Sequence, residues 1–230
     1  MLEHRFKSEL SGGDFGWLNA RHHFRVTAEG NPALRPLGAL VVWNDDVIAP
    51  GTGFPMHPHQ NMEIISCLLE GAVTHRDSTG SYGRTVAGDV QVMSAGSGIR
   101  HEERNEESIP LRLFQIWLRP RQNGGQPRWA SRPFPKGERA GQWAVLASGK
   151  ADDQGALPIR ADARVLGATL KAGQHLNYSM TGQGYLVPTL GALKVNAVQV
   201  EAGDGLAITD ESQLLVEAID DTEVIMVEVF

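Results

Sequence analysis

The chain is cut into short apolar runs, four to eight residues long, each closed by Gly, Pro, Asn or Asp, and no amphipathic helical period survives between them. Residues 40–43 are β-rich and run into Asn44-Asp45-Asp46, which reads as a turn. Residues 62–69 close on Glu70-Gly71, 72–75 precede the turn chemistry of 77–83, 89–93 precede a Ser/Gly loop at 94–98, and 111–118 end at Arg119-Pro120. The helix-prone stretch 149–164 is broken by Gly155 and Pro158. Segments this short bury an apolar face only by pairing into sheets, so the expected class is all-β, a sandwich or barrel. Glycine supports this: 26 of 230 residues, well above the usual share of about 7%, supply turns that need positive φ.

The pattern pauses once. Residues 119–142 are rich in Pro, Gly and Arg and lack periodicity, and strands resume at 143–146, 164–170, 184–187, 192–200, 205–209, 213–218 and 222–230. The length, midway between one and two domains on the usual prior, is therefore divided into a first domain over 1–120, a connector over 121–142 and a second domain over 143–230. Gly88-Asp89 and Gly203-Asp204 each precede a short strand, which hints at an internal duplication.

Composition excludes several classes. Cys67 is alone, so there is no internal disulfide and no Cys-x-x-Cys metal or redox motif; within its apolar run it is expected to be buried and inert. No stretch approaches the roughly 18 apolar residues of a membrane span, and the N-terminus has no apolar signal core. The net charge is −6 without a Lys/Arg cluster, a poor match for phosphate backbones. The expectation is a cytoplasmic protein that binds neither membrane nor nucleic acid directly.

Eight histidines remain, and four residues stand out. In a strand, residues two apart share a face. His57-Pro58-His59 can thus aim two imidazoles into one space, with Pro58 favouring an edge or bulged strand. His101-Glu102-Glu103 offers an imidazole and a carboxylate with the same spacing. Two such pairs on neighbouring strands make a three-His, one-carboxylate site suited to one divalent transition metal (Fe, Mn, Co, Ni, Cu or Zn) with positions open for other ligands. His4, His22, His23, His75 and His175 are read as bystanders, although His22 and His23, close to Trp17 and Phe24, could line a pocket.

Gly51-x5-His57-x-His59-x3-Glu63 resembles the first metal motif of cupins, and Gly88 to Asn105 resembles a stretched second motif with Ser94 where proline is usual. The stretches HPHQNMEIISCLLEG (57–71) and MSAGSGIRHEERN (93–105), supported by FGWL (15–18), NDDVI (44–48), QIWL (115–118) and DGLAI (204–208), resemble the pirin family; ARHHFRV (20–26) matches it only at His22 and Phe24. The resemblance implies a bicupin, two jelly-roll-like β-barrels packed face to face, with metal in the N-terminal barrel only. It implies His57, His59, His101 and Glu103 as ligands, Fe(II) as the leading metal, and Glu63 as the rival carboxylate. No metal is expected in the second half, where His175-Leu176-Asn177 stands in place of a His-x-His.

Two activities are implied. One is a quercetin 2,3-dioxygenase-type reaction in which a planar flavonol or related aromatic diol reacts with dioxygen and carbon monoxide is lost. Glu103, or Glu63 behind it, would be the general base, and Phe54, Met56, Phe114 and Trp117 would form the apolar wall. The other is a redox-sensing regulatory protein that binds a protein partner without turnover, with Arg119, Arg121 and Arg128 as docking residues.

Overall fold

In the computed structural model, which describes residues 1–25 and 31–230, each half of the chain is a seven-stranded sheet packed on a four-stranded one. In the first half the large sheet runs Arg128–Arg132, Val90–Ser94, Glu63–Glu70, Leu111–Leu118, Leu40–Ile48, Leu18–His22, Ser11–Asp14. The small sheet runs Gly53–His59, Ile99–Arg104, Ala72–Asp77, Tyr82–Val86. The second half repeats the plan around Gln183–Leu190, Thr222–Val229 and Ala163–Leu170 in its large sheet, and His175–Ser179 and Gln213–Ala218 in its small one. The all-β, jelly-roll-like bicupin follows the expectation, but the sheets do not close into barrels: each half keeps two sheets with free edges. The helical turns among the described residues are two 3-10 segments, Lys7–Glu9 and Lys136–Arg139.

The repeat hinted at by two Gly-Asp pairs recurs in the backbone. Gly88 (φ 93°) and Gly203 (φ 85°) both occupy left-handed turns. Gly88 N donates to Leu68 O and Gly203 N to Pro188 O; Asp89 N donates to Val86 O and Asp204 N to Glu201 O.

The two large sheets face each other across one continuous core. Trp43, Ile65, Cys67, Phe114 and Ile116 from the first half pack with Leu146, Val165, Tyr185, Val187, Ile225 and Val227 from the second. Strand alternation sorts the side chains. On Glu63–Glu70, Ile65 and Cys67 enter this shared core, while Ile64 and Leu68 turn inward to separate clusters of the first half. Cys67 is buried, and burial pushes its thiol up to about 12, consistent with an inert side chain.

Three local expectations change. Asn44-Asp45-Asp46 is not a turn: Leu40–Ile48 is one strand, held between Leu18–His22 and Leu111–Leu118. Its acidic residues survive there because Asp45 takes two bonds from Arg112 (2.7 and 2.9 Å), a bidentate pairing that propensity does not register. The stretch 121–142 contains a strand, Arg128–Arg132, paired with Val90–Ser94 at the edge of the first large sheet. The N-terminal strand Leu2–Arg5 pairs with Gly205–Ile208 of the second half, so chain order and sheet membership part company at residue 2.

Candidate metal centre

His57 and His59 lie on Gly53–His59, the edge strand of the small sheet, which carries Pro55 and Pro58. An edge tolerates two residues that cannot donate to the ladder. The strand is also bulged: His57 stands opposite His101, but Phe54 stands opposite Glu103. Gly53 (φ 151°) is required for this approach, because a Cβ there would lie 2.2 Å from Glu103 O.

The bulged pair brings three imidazoles together. Ring centroids are 4.8 Å apart for His57 and His59, 4.4 Å for His57 and His101, and 4.9 Å for His59 and His101. One nitrogen from each lies within 4.8 Å of the others. Burial, reinforced by the neighbouring rings, lowers His59 to about 4 and His101 to about 3. Both are therefore neutral at pH 7, the form that offers a lone pair. His57 Nδ1 donates to Pro55 O at 2.7 Å, which leaves its Nε2 as the acceptor atom.

Glu103 is buried on the same strand as His101 and falls in a second set, with His75 and His101, rather than within the 4.8 Å set of His57 and His59. Its carboxylate is clamped by amides: Gln91 donates to Oε1 at 2.7 Å and Gln115 to Oε2 at 2.8 Å. Glu63 is elsewhere. Its neighbour Ile64 faces the cavity, so strand alternation turns Glu63 away; there it accepts from Ser94 Oγ (2.7 Å) and from Arg160 N (3.0 Å) of the second half. Burial holds Glu63 above the usual carboxylate range. The rival carboxylate is thus a strut between the halves rather than a member of the cluster.

The histidines open on a cavity of about 90 Å³, also walled by Asn44, Asp46, Phe54 and Trp117. Of the four expected wall residues, Phe54 and Trp117 are present; Met56 is 41% exposed, and Phe114 lies on the far face of its strand in the shared core. Four atoms on this wall are buried without a hydrogen-bond partner: Asn44 Oδ1, Asp46 Oδ1, His101 Nε2 and Trp117 Nε1. Buried polar groups normally have partners. A cluster of imidazole nitrogens beside carboxylates, some of their atoms unsatisfied, has the donor chemistry that suits a divalent transition metal.

Three wall or support residues escaped the sequence reading. Asp46 was hidden in the supposed turn. His75, read as a bystander, is fully buried, stacks on Trp129 (4.9 Å, 8° between planes) and bonds Asp77 at 2.9 Å. Trp129 arrives on the strand inside the supposed connector, above Gly83, where a Cβ would lie 2.2 Å from the indole. The spacing His75-x-Asp77, two residues apart in a strand, was the available signal. The remaining histidines stay outside the cluster: His4 bonds Asp204, His23 bonds Tyr185 in the shared core, His22 is half-buried, and His175 is exposed. Val26, the last residue of the 20–26 segment, lies outside the described residues.

Asp46 carries a testable consequence. Burial, with Asp45 and Glu103 adding like charge, raises it to about 7. A raised folded pKa means that its contribution to stability is full below the unfolded value of about 4 and is lost as pH rises through about 7. Asp46→Asn should therefore stabilise the metal-free protein at pH 8 relative to wild type, by on the order of 1–3 kcal/mol, with little gain at pH 4. Denaturant midpoints at the two pH values measure this, and an equal effect at both would contradict it.

In the second half the matching strand pair, His175–Ser179 with Gln213–Ala218, turns Leu176, Tyr178, Leu214 and Val216 inward to an apolar cluster. Among the described residues the histidine clusters belong to the first half alone.

The two halves match different family models. Residues 4–118 match the family model for pirin, and 145–229 match that for the quercetinase C-terminal cupin domain. The chain is 54% identical to a pirin-like protein of Caulobacter vibrioides, over 99% of both chains. It is 37% identical to the quercetin 2,3-dioxygenase of Escherichia coli K12, over 98% of this chain and 97% of the relative. The crystal structure of the bacterial pirin YhhW from Escherichia coli in complex with nickel(II) superimposes with a TM-score of 0.93 at 34% identity, covering 100% of this chain and 99% of the other. With both halves matched and relatives of this identity aligned from end to end, the chain belongs to the pirin family.

Proposed function

We propose that the protein is a metal-dependent dioxygenase acting on a flavonol or related planar aromatic diol, with His57, His59, His101 and Glu103 holding one divalent transition metal. The observation that carries this reading is the convergence of three imidazoles on one small cavity beside a clamped carboxylate, two of them held neutral by burial. Kinship over the full length with a quercetin 2,3-dioxygenase supports the reaction class. A divalent cation in such a site lowers the pKa of a coordinated hydroxyl and polarises a neighbouring carbonyl.

The chain's own groups supply the rest. Gln91 and Gln115 fix Glu103 so that its carboxylate is oriented before substrate arrives, in position to take the proton of a flavonol hydroxyl. Asp46 offers a second carboxyl on the same wall, with Oδ1 unpartnered. Phe54 and Trp117 present apolar surface to a planar ring and keep water from it. Size sets how the substrate sits. About 90 Å³ is room for roughly three waters at about 30 Å³ each, far below the 300–1,000 Å³ or so of pockets that engulf a drug-sized ligand. Only the chelating edge of a flavonol enters unless the walls part.

That small volume also favours the second reading, a metal-binding regulatory protein without turnover. Its suggested docking arginines are partly occupied: Arg121 bonds Asp162, and Arg128 bonds Ser94 Oγ and Pro158 O. One experiment separates the readings. Protein loaded in turn with Fe, Mn, Co, Ni, Cu and Zn is incubated with quercetin in air. Turnover predicts bleaching of the visible band together with carbon monoxide release, both abolished by chelation. Bleaching that survives chelation would remove the catalytic role. One bound metal per chain without loss of quercetin with any metal would favour the regulatory reading.

A further inference from the structure

We propose that Asp77 and His75 form a buried relay that sets the tautomer of His101 and so presents its Nε2 lone pair to the metal. The inference rests on the reading of His101 as a ligand. It begins at Asp77, whose Oδ1 accepts from Thr79 N (2.8 Å), Thr79 Oγ1 (2.6 Å) and Ser81 N (3.1 Å). Three donors on one oxygen pin the carboxylate and leave Oδ2 for His75 Nε2, 2.9 Å away. A carboxylate only accepts, so His75 Nε2 carries the proton.

The neutral imidazole has one N–H and one lone pair. With its proton on Nε2, His75 has a lone pair on Nδ1. That atom lies 3.5 Å from His101 Nδ1. With His75 taken as the neutral ring, the two facing nitrogens share a single proton, and His101 Nδ1 is its donor. The lone pair of His101 is then on Nε2, the buried atom without a hydrogen-bond partner. Two further contacts keep the His75 ring in place: the stack on Trp129 and the pairing of Ala72–Asp77 with Ile99–Arg104, in which Asp77 stands opposite His101 and His75 opposite Glu103. The arrangement extends the familiar pairing of a ligating histidine with a carboxylate by one imidazole.

The relay makes an unusual prediction for Asp77→Asn. The three donors on Oδ1 will keep the amide oxygen there, which turns the amide N–H2 toward His75 Nε2. His75 must then accept at Nε2 and donate from Nδ1, and His101 is forced to carry its proton on Nε2. A nearly isosteric change should therefore invert the tautomer of a residue on another strand. His75→Phe, which keeps a ring against Trp129, should release it.

The test has two independent readouts. Nitrogen-15 NMR of the metal-free protein reports the ring tautomers. Wild type should show His101 protonated at Nδ1 and Asp77→Asn should show it at Nε2. Nickel(II) titration should then show one ion per chain throughout, with affinity about 10–100-fold weaker in both variants. His101 protonated at Nε2 in wild type, or affinity unchanged in both variants, would overturn the relay. So would two ions per chain, or complete loss of nickel in His75→Phe, because His75 would then be a ligand itself. The expected tautomers in a protein that binds no nickel would leave the relay standing and refute the metal site instead, so the two failures are distinct.

Discussion

His101→Ala should leave the purified protein without its transition metal. His101 is the shared member of both candidate clusters, and its ring lies within 5 Å, centroid to centroid, of His57 and His59. Removing it takes away one of three clustered imidazoles and leaves a pair on a single strand. An ion that binds only the folded protein, supplied at about a thousand times its Kd, stabilises by about 4 kcal/mol. For a chain of this size that corresponds to roughly 8–16 °C in Tm. Wild type should gain this on nickel(II) addition, and the variant should gain little. His175→Ala, a change at an exposed strand position of the second half, is the control and should keep the full response. Elemental analysis showing one metal per chain in His101→Ala would refute the site.

Glu223→Ala should cost about 3–5 kcal/mol of stability, the usual penalty for stranding a buried charge. Glu223 sits on the Thr222–Val229 strand and accepts from Arg139 at 2.7 Å and Lys136 at 2.6 Å. Arg139 is only 3% exposed, and its Nε already lacks a partner. Without Glu223 the guanidinium loses its directly bonded carboxylate in a site too dry to solvate it, with only the weaker field of Asp89 left. These bonds also hold the 3-10 turn at the end of the connector against the second large sheet. Denaturant unfolding should show the lower midpoint. The paired change Arg139→Met with Glu223→Leu should recover most of the loss, since a buried ion pair is often matched by apolar residues of similar volume. A loss below about 1 kcal/mol in the single variant would show that the pair is solvated.

Much of the architecture is legible in the sequence, because its signals are local. A run of residues 111–118 or 222–230 declares a strand by its own composition, and the bounding glycines declare the turns. The two candidate ligand pairs are equally visible, since a spacing of two residues places His57 with His59, and His101 with Glu103, whatever the rest of the chain does. Misreadings arose where a residue's meaning depends on a distant partner. Asn44-Asp45-Asp46 looks like a turn until Arg112, 67 residues away, neutralises Asp45 within a sheet. The 121–142 stretch looks like a linker until Val90–Ser94 gives its middle a strand partner and His75 gives Trp129 a ring to stack on.

The choice between carboxylates shows the same division. Glu63 and Glu103 are equivalent in composition and both flank metal-type motifs. Pleating turned Glu63 toward Ser94 and Arg160, while a bulge on the facing strand lets Glu103 share a wall with the histidines. The sequence by itself determined the all-β class, the repeated half and the pairing of the candidate ligand residues, because period and turn chemistry act within a few residues. Tertiary structure alone decided which carboxylate joins the cavity, that Asp46 stands on its wall, and that Asp77 and His75 back His101. Those outcomes depend on strand register and on which faces are buried together, and both are settled by contacts far apart along the chain.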